Sequence, residues 1–357
     1  MKQNVVTVDS DILGDKSMDR HFNGSLEQLQ SLDLDSKIRM TVERIKSFRM
    51  FSESCTPPHD IYISFSGGKD STVLKHLVEN QIGNIESVFF NTGLELSSIQ
   101  RFVSSFGNVT VLRPEILFKD VIIKYGYPCI GKEFAEAVSA YRKGSSWAID
   151  KFNGTGRYSG IFSYKKFKWI LDAPFRISSK CCYFMKKKTS HDYNVKNVKY
   201  PIIATLADES LLRRTMWQRY GCNITGNNPH SNPMSFWTEN DILKYIYENK
   251  VKIADCYGNV ICKDGKYVLD GQRSRTGCAF CLFGAHLENS KYRRFIYLKK
   301  YQRSTYEYIM GGGEYDSEGY WIPNDKGLGF SFVIEFLNRY LKKPIIYDIK
   351  TERINLW

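Results

Sequence analysis

Apolar positions recur at helical spacing from Leu26 through Leu29, Leu32, Ile38, Val42 and Ile45 to Phe48, which predicts one or two packing helices over residues 25–53. Prolines in "CTPPHD", Cys55 to Asp60, end that rhythm. From Ile61 the pattern changes to short apolar runs alternating with amphipathic stretches. "IYISF", "IESVFF", "NVTVLR" and "PIIATL" read as strands, and "DSTVLKHLVEN", "FKDVIIKYG" and "TENDILKYIYEN" as helices, the last capped by Thr238 with an acidic first turn. Strands alternating with helices imply an α/β fold with an open, mostly parallel twisted sheet flanked by helices. Between Lys132 and Lys180 the pattern weakens into a Gly-, Ser- and Lys-rich stretch that reads as a surface insertion or lid. Beyond about Val251 the chain carries cysteines, a glycine-rich loop and a last helix at "FVIEFLNRYLKK". The expected organisation is an N-terminal helical extension (1–56), a nucleotide-binding α/β domain (57–250, with the insertion) and a C-terminal cysteine-bearing helical region (251–357).

At 357 residues the chain exceeds the usual size of a single core. Its first 20 or so residues are polar and read as frayed. No apolar run is long enough to cross a bilayer and the N-terminus lacks the apolar region of a secretory signal, so a cytoplasmic protein with no membrane partner is expected. The net charge of +13 gathers at Tyr164–Trp169, Met185–Lys188 and Lys291–Arg303, interleaved with aromatic residues. Such a surface favours polyanions, either a nucleic acid or a phosphorylated small molecule.

The first strand runs directly into "SFSGGKDST". Gly67 and Gly68 let backbone N–H groups approach a phosphate, a helix beginning near Asp70 adds the positive end of its dipole, Lys69 supplies a cation, and Ser66 and Ser71 supply hydroxyls. Open α/β sheets bind ligands at the carboxyl ends of their strands, where this loop sits. It is not a Walker loop, since Ile63 and Asp70 stand where that pattern needs glycine and Ser or Thr.

"SFSGGKDST" resembles the signature of the PP-loop ATP pyrophosphatases, the adenine nucleotide α-hydrolase superfamily, whose members bind ATP and act at its α-phosphate. Three further stretches are similar to the PAPS reductase branch of that superfamily: "FFNTGLE", "ADESLLRR" and "PMSFWTENDILKYI". The resemblance implies that Thr92, Gly93 and Glu95 border the nucleotide, and that Glu209, Ser210 and Arg213 lie at the phosphates. The Pro233–Ile246 stretch would mainly pack. Leu206 departs from the pattern, standing where the family often has arginine.

Nine cysteines in a chain of this kind do not suggest a disulfide framework. Cys181 and Cys182 are adjacent, and Cys278 and Cys281 form a CxxC far downstream. Four thiolates in two local pairs suit either zinc or an iron–sulfur cluster. The spacing is similar to the cluster ligation of APS reductases, and the resemblance therefore implies a 4Fe–4S cluster, with zinc as the alternative. Lysines after Cys182, together with Arg273 and Arg275, would offset the thiolate charge. Cys55, Cys129, Cys222, Cys256 and Cys262 read as structural, although Cys129 and Cys222 fall near the expected nucleotide rim. His76 and His286 read as packing residues.

Sulfonucleotide reductases of the known kind carry a nucleophilic cysteine near the C-terminus, and this sequence has none after Cys281. The preferred expectation is thus an ATP pyrophosphatase-type sulfurtransferase with catalytic Lys69, Asp70 and Arg213, Mg²⁺ as counter-charge, and a thiolation substrate such as tRNA or DNA. A sulfur donor or electron-transfer protein would be a partner, and a homodimer is left open. The alternatives are an APS or PAPS reductase and a non-catalytic nucleotide-binding regulatory module.

Overall fold

In a computed structural model, residues 24–288 and 293–346 are described. The expected fraying of the first residues, Lys291 of the third basic cluster and the end of the chain lie outside them. The chain forms two compact units, each discontinuous in sequence. The first comprises the described part of Met1–Phe90 with Ser98–Leu112 and His191–Gly271, and the second Asn91–Ser97, Arg113–Ser190 and the described part of Gln272–Trp357.

The first unit is an α/β fold built on a six-stranded sheet. Its strands are β1 (Asp60–Ser64), β2 (Ser87–Phe90), β3 (Val109–Leu112), β4 (Lys199–Ile202), β5 (Asn223–Ile224) and β6 (His230–Ser231), in the order β3-β2-β1-β4-β6-β5. All neighbours are parallel except β5 and β6. β1 is central, with Ile63 opposite both Ser87 and Ile202. A central parallel strand is covered on both faces, and so Ile61, Tyr62 and Ile63 are all buried rather than alternating.

Three helices precede or follow that strand: α1 (Ser25–Gln30), α2 (Leu34–Ser54) and α3 (Lys69–Gln81). Asp33 caps α2 by accepting from the Ser36 N–H at 2.8 Å. Helix α2 buries Ile45 and Phe48, and α3 buries Val73, Leu74, Leu77 and Val78 at the spacing that makes one apolar face. The helix Glu239–Glu248 begins with a reciprocal Thr238–Asp241 capping box. Asp241 also takes a 2.7 Å hydrogen bond from the buried ammonium of Lys37. Trp237 is fully buried and donates its indole N–H to Thr41 Oγ1 at 3.0 Å. The Pro233–Ile246 stretch therefore mainly packs, with Glu239 and Asn240 exposed.

The second unit is mostly helical. The weakly patterned segment after Lys132 forms helices Lys132–Arg142 and Ser146–Asn153, with Phe134, Ala135 and Phe152 buried, followed by 3₁₀ turns. Tyr127, Phe175, Phe280 and Phe330 meet edge-to-face at 5.5–5.7 Å between ring centroids. The C-terminal helix Phe330–Tyr340 packs Tyr340 flat on Trp169, centroids 4.4 Å apart. No described helix is long and apolar enough to cross a membrane.

Candidate functional site

The glycine corner leaves the carboxyl end of β1. Gly67 has φ +70°, a conformation that favours glycine, and a Cβ there would lie 2.7 Å from Val103 Cγ2 and 2.9 Å from Ile99 Cγ2. Sterics alone therefore demand glycine. Gly68 is the N-cap of α3 and offers no side chain to cap it. The N–H groups here find only hydroxyl acceptors at long range: Ser66 N–H donates to Ser71 Oγ at 3.2 Å, Gly68 N–H to Ser66 Oγ at 3.3 Å, and Lys69 N–H to the Tyr257 hydroxyl at 3.3 Å. N–H···O bonds are normally nearer 2.9–3.0 Å, so a phosphate oxygen is a better acceptor than any of the three.

Lys69 is buried, and its ammonium lies 3.3 Å from Asp70 Oδ1 and 3.4 Å from Glu239 Oε1. Sequence reasoning identified Lys69 and Asp70 and missed Glu239 and Tyr257. Glu239 was legible only as an acidic first-turn residue, because its meeting with Lys69 depends on two helices distant in sequence packing together.

The other expected phosphate residues follow β4, the parallel neighbour of β1, and so leave the same edge of the sheet. Glu209 ends the 3₁₀ turn Ala207–Glu209. Ser210 caps the helix Leu211–Tyr220, accepting from Arg213 N–H at 3.2 Å. The guanidinium of Arg213 is ion-paired with Glu209 one turn away. Leu206, the departure from the pattern, is buried.

Thr92, Gly93 and Glu95 belong to the second unit. Glu95 closes a tight loop by accepting from Thr92 N–H at 3.1 Å and Thr92 Oγ1 at 2.7 Å, while Gly93 takes φ +74°. Leu94 C=O accepts from Ala279 N–H at 2.6 Å, which ties this loop to the CxxC segment. All four expected cysteines, Cys181, Cys182, Cys278 and Cys281, line one small cavity together with Leu94, Phe118, Phe280 and Lys186. Cys181 and Cys182 sit where a short α-turn widens into the π-helical turn Tyr183–Lys187, a distortion common at functional sites.

The electrostatics divide the thiols. The Cys181 thiol donates to Cys182 and, against the opposing effect of burial, holds Cys182 down at about 6, with Lys132 and Lys186 adding to the lowering. That same hydrogen bond, then burial, pushes Cys181 up. Burial raises Cys278, and raises Cys281 to about 11 with the neighbouring Cys278 contributing. Arg294 donates to Cys281 C=O at 2.6 Å and opposes the rise at both CxxC thiols. Of the arginines expected to help, Arg273 instead faces Glu288 at 3.6 Å. The cations that act on these thiols are Lys132, Lys186 and Arg294; the sequence had pointed to the lysines after Cys182, which include Lys186, and to Arg273 and Arg275.

Among the described residues, no three or more His, Cys, Asp or Glu side chains are gathered as a formed metal site. The four sulfurs are thiolate donors by type and line one cavity, but they are not gathered as a group that could hold a metal ion, and only Cys182 is held towards the thiolate form. Of the remaining cysteines, Cys129, Cys222 and Cys256 are buried and Cys262 is exposed on the hairpin strand Val260–Lys263. Burial pushes the Cys129 thiol up and nearby Cys281 pushes it further. His76 is a packing residue whose Nδ1 lies 3.0 Å from the Tyr245 hydroxyl.

Residues 60–142 match the family model of the phosphoadenosine phosphosulfate reductase domain. That segment carries the glycine corner, the first three strands and the Thr92–Glu95 loop, and its match supports the PAPS reductase branch of the adenine nucleotide α-hydrolases. No curated protein matches the sequence. Among solved structures, the chain is similar to phosphoadenylyl-sulfate (PAPS) reductase from Candida auris in its phosphate complex, with 10% identity, 67% of this chain and 92% of that chain covered, and a TM-score of 0.34.

Proposed function

We propose that this protein is a PP-loop enzyme that activates an acceptor with ATP and delivers sulfur to it. One observation carries the reading: two cysteine pairs far apart in sequence line a single cavity, in a unit whose Asn91–Ser97 loop continues the chain from the sheet. The glycine corner would hold the β- and γ-phosphates, with Mg²⁺ as counter-charge and Asp70 orienting the metal or nucleotide. Arg213, exchanging its Glu209 partner for phosphate, would offset charge that develops at the α-phosphorus. An acceptor oxygen attacks that phosphorus and pyrophosphate leaves; a sulfur nucleophile from a donor then displaces AMP and leaves the acceptor thiolated. Cys181, Cys182, Cys278 and Cys281 would hold a 4Fe–4S cluster, which when bound supplies electrons and iron sites for sulfur. Lys132, Lys186 and Arg294 stabilise the thiolate form that such ligation needs.

A nucleic-acid acceptor is supported by the segment 157–168. Arg157, Lys165, Lys166 and Lys168 are exposed there, and the intervening Ile161 and Phe162 are 92% and 64% exposed. Cations bracketing an exposed aromatic ring suit a strand that offers phosphates and unstacked bases.

A second reading, reduction of APS or PAPS, is favoured by the family match over residues 60–142. Anaerobically purified protein incubated separately with ATP plus tRNA or DNA and a sulfide donor, and with APS or PAPS plus a dithiol, separates the two. Pyrophosphate and AMP with sulfur entering the nucleic acid are expected. Sulfite release from the sulfonucleotides, with no ATP cleavage, would replace the proposal with the reductase reading.

A further inference from the structure

The phosphate reading asks Lys69 for a cation, and Lys69 is already engaged. Its side chain is 4% exposed, its ammonium faces Asp70 at 3.3 Å and Glu239 at 3.4 Å, and its backbone N–H is taken by Tyr257. Asp70 adjoins Lys69 on α3. Glu239 is different, since it comes from a separate helix and is 46% exposed. The start of that helix does not depend on it, because Thr238 and Asp241 cap each other there.

Two carboxylates about one ammonium leave a net negative charge where phosphates should enter. Glu239 is the exposed partner of this pair and holds the buried ammonium at only 3.4 Å, so its carboxylate can swing out and leave Lys69 to a better acceptor. Its effect on an incoming anion is larger than its effect on folding: the anion loses part of its cation and meets a like charge.

Resting on the phosphate-site reading above, we propose that Glu239 competes with phosphate for Lys69. It thereby sets how much phosphate charge, or divalent cation, a ligand must bring to occupy the glycine corner. A ligand with several phosphates or with Mg²⁺ displaces or neutralises Glu239, whereas a poorly charged one leaves the Lys69 contact in place. Glu239 is a positioning and specificity residue in this account, acting through Lys69.

The test is equilibrium binding to the full chain at constant ionic strength, comparing wild type, Glu239→Gln and, as a control on the same helix, Glu248→Gln. The ligands are ATP and adenosine, each in EDTA and in Mg²⁺. Glu239→Gln should tighten ATP binding in EDTA by about 3- to 10-fold, the scale of one screened charge. The gain should shrink in Mg²⁺, and adenosine affinity should not move. Unchanged or weaker ATP binding by Glu239→Gln in EDTA, beside a wild type that binds ATP, overturns the proposal and leaves the phosphate site standing. An equal gain for adenosine, or for Glu248→Gln, also overturns it, because a general loosening would then explain the effect. A wild type that binds ATP in neither buffer removes the phosphate site and the proposal together.

Discussion

At Gly67 a single missing methyl group decides whether the loop after β1 can form. Its φ of +70° is strained for any side chain, and the added Cβ would press on Val103 and Ile99. Gly67→Ala should therefore destabilise the chain by about 2–4 kcal/mol, read as a lowered denaturant midpoint; an unchanged midpoint would mean that the loop is built differently. Glu86 performs a structural task at the opposite, amino edge of the sheet. Burial raises its carboxyl, but hydrogen bonds from Lys199 at 2.7 Å, Thr110 at 2.7 Å and Tyr193 at 2.8 Å prevail and hold it below the ordinary carboxylate value. A carboxyl depressed in the folded state contributes stability above its unfolded value of about 4.3, and that contribution is lost as pH falls through the folded value. Glu86→Gln should lower stability near neutrality and flatten its decline below about pH 4.3; an acid-unfolding curve parallel to wild type would exclude this role. At this scale the sequence was informative wherever chemistry is local. Gly67, Gly68, Lys69 and the serines announce themselves within six positions, whereas Glu239 and Tyr257 reach Lys69 only through the packing of distant segments.

Among the elements, one side chain gathers three carbonyls of the chain leading to Cys181. Arg142, at the end of the helix Lys132–Arg142, donates to the carbonyls of Phe175 at 2.8 Å, Ala173 at 2.9 Å and Leu171 at 3.1 Å. Three part-buried carbonyls lose their donor together if it is removed, so Arg142→Ala should cost about 2–4 kcal/mol. Arg142→Lys should recover only part, since an ammonium lacks the planar fork that spans all three. Full recovery by lysine in thermal melts would show that charge, rather than the fork, holds the segment. The strands and helices of the sheet were readable because each buries a continuous run or one helical face. The helix Ser146–Asn153 was not, because Lys151 occupies a buried position beside Glu133 and interrupts the apolar period. β5 and β6 are two residues each and too short to show a period at all.

For the whole molecule, the residues that the family resemblance grouped at one nucleotide fall in both units. Ser66–Ser71, Glu209, Ser210 and Arg213 belong to the first, where they follow the parallel neighbours β1 and β4, while Thr92, Gly93 and Glu95 belong to the second with Cys181, Cys182, Cys278 and Cys281. The two cysteine pairs were legible as spacing, but their cations only in part: Lys186 was among the lysines expected, whereas Lys132 and Arg294 come from other elements and Arg273 faces Glu288. The central claim is that these four thiols hold a cluster that serves sulfur chemistry. It is tested most directly by iron, acid-labile sulfide and zinc content of anaerobically purified full-length protein, with Cys182→Ala and Cys281→Ala alongside. The account predicts about four irons and four sulfides per chain, with a visible charge-transfer band, all lost in both variants. Stoichiometric zinc, or iron and sulfide retained when the cysteines are removed, would contradict it.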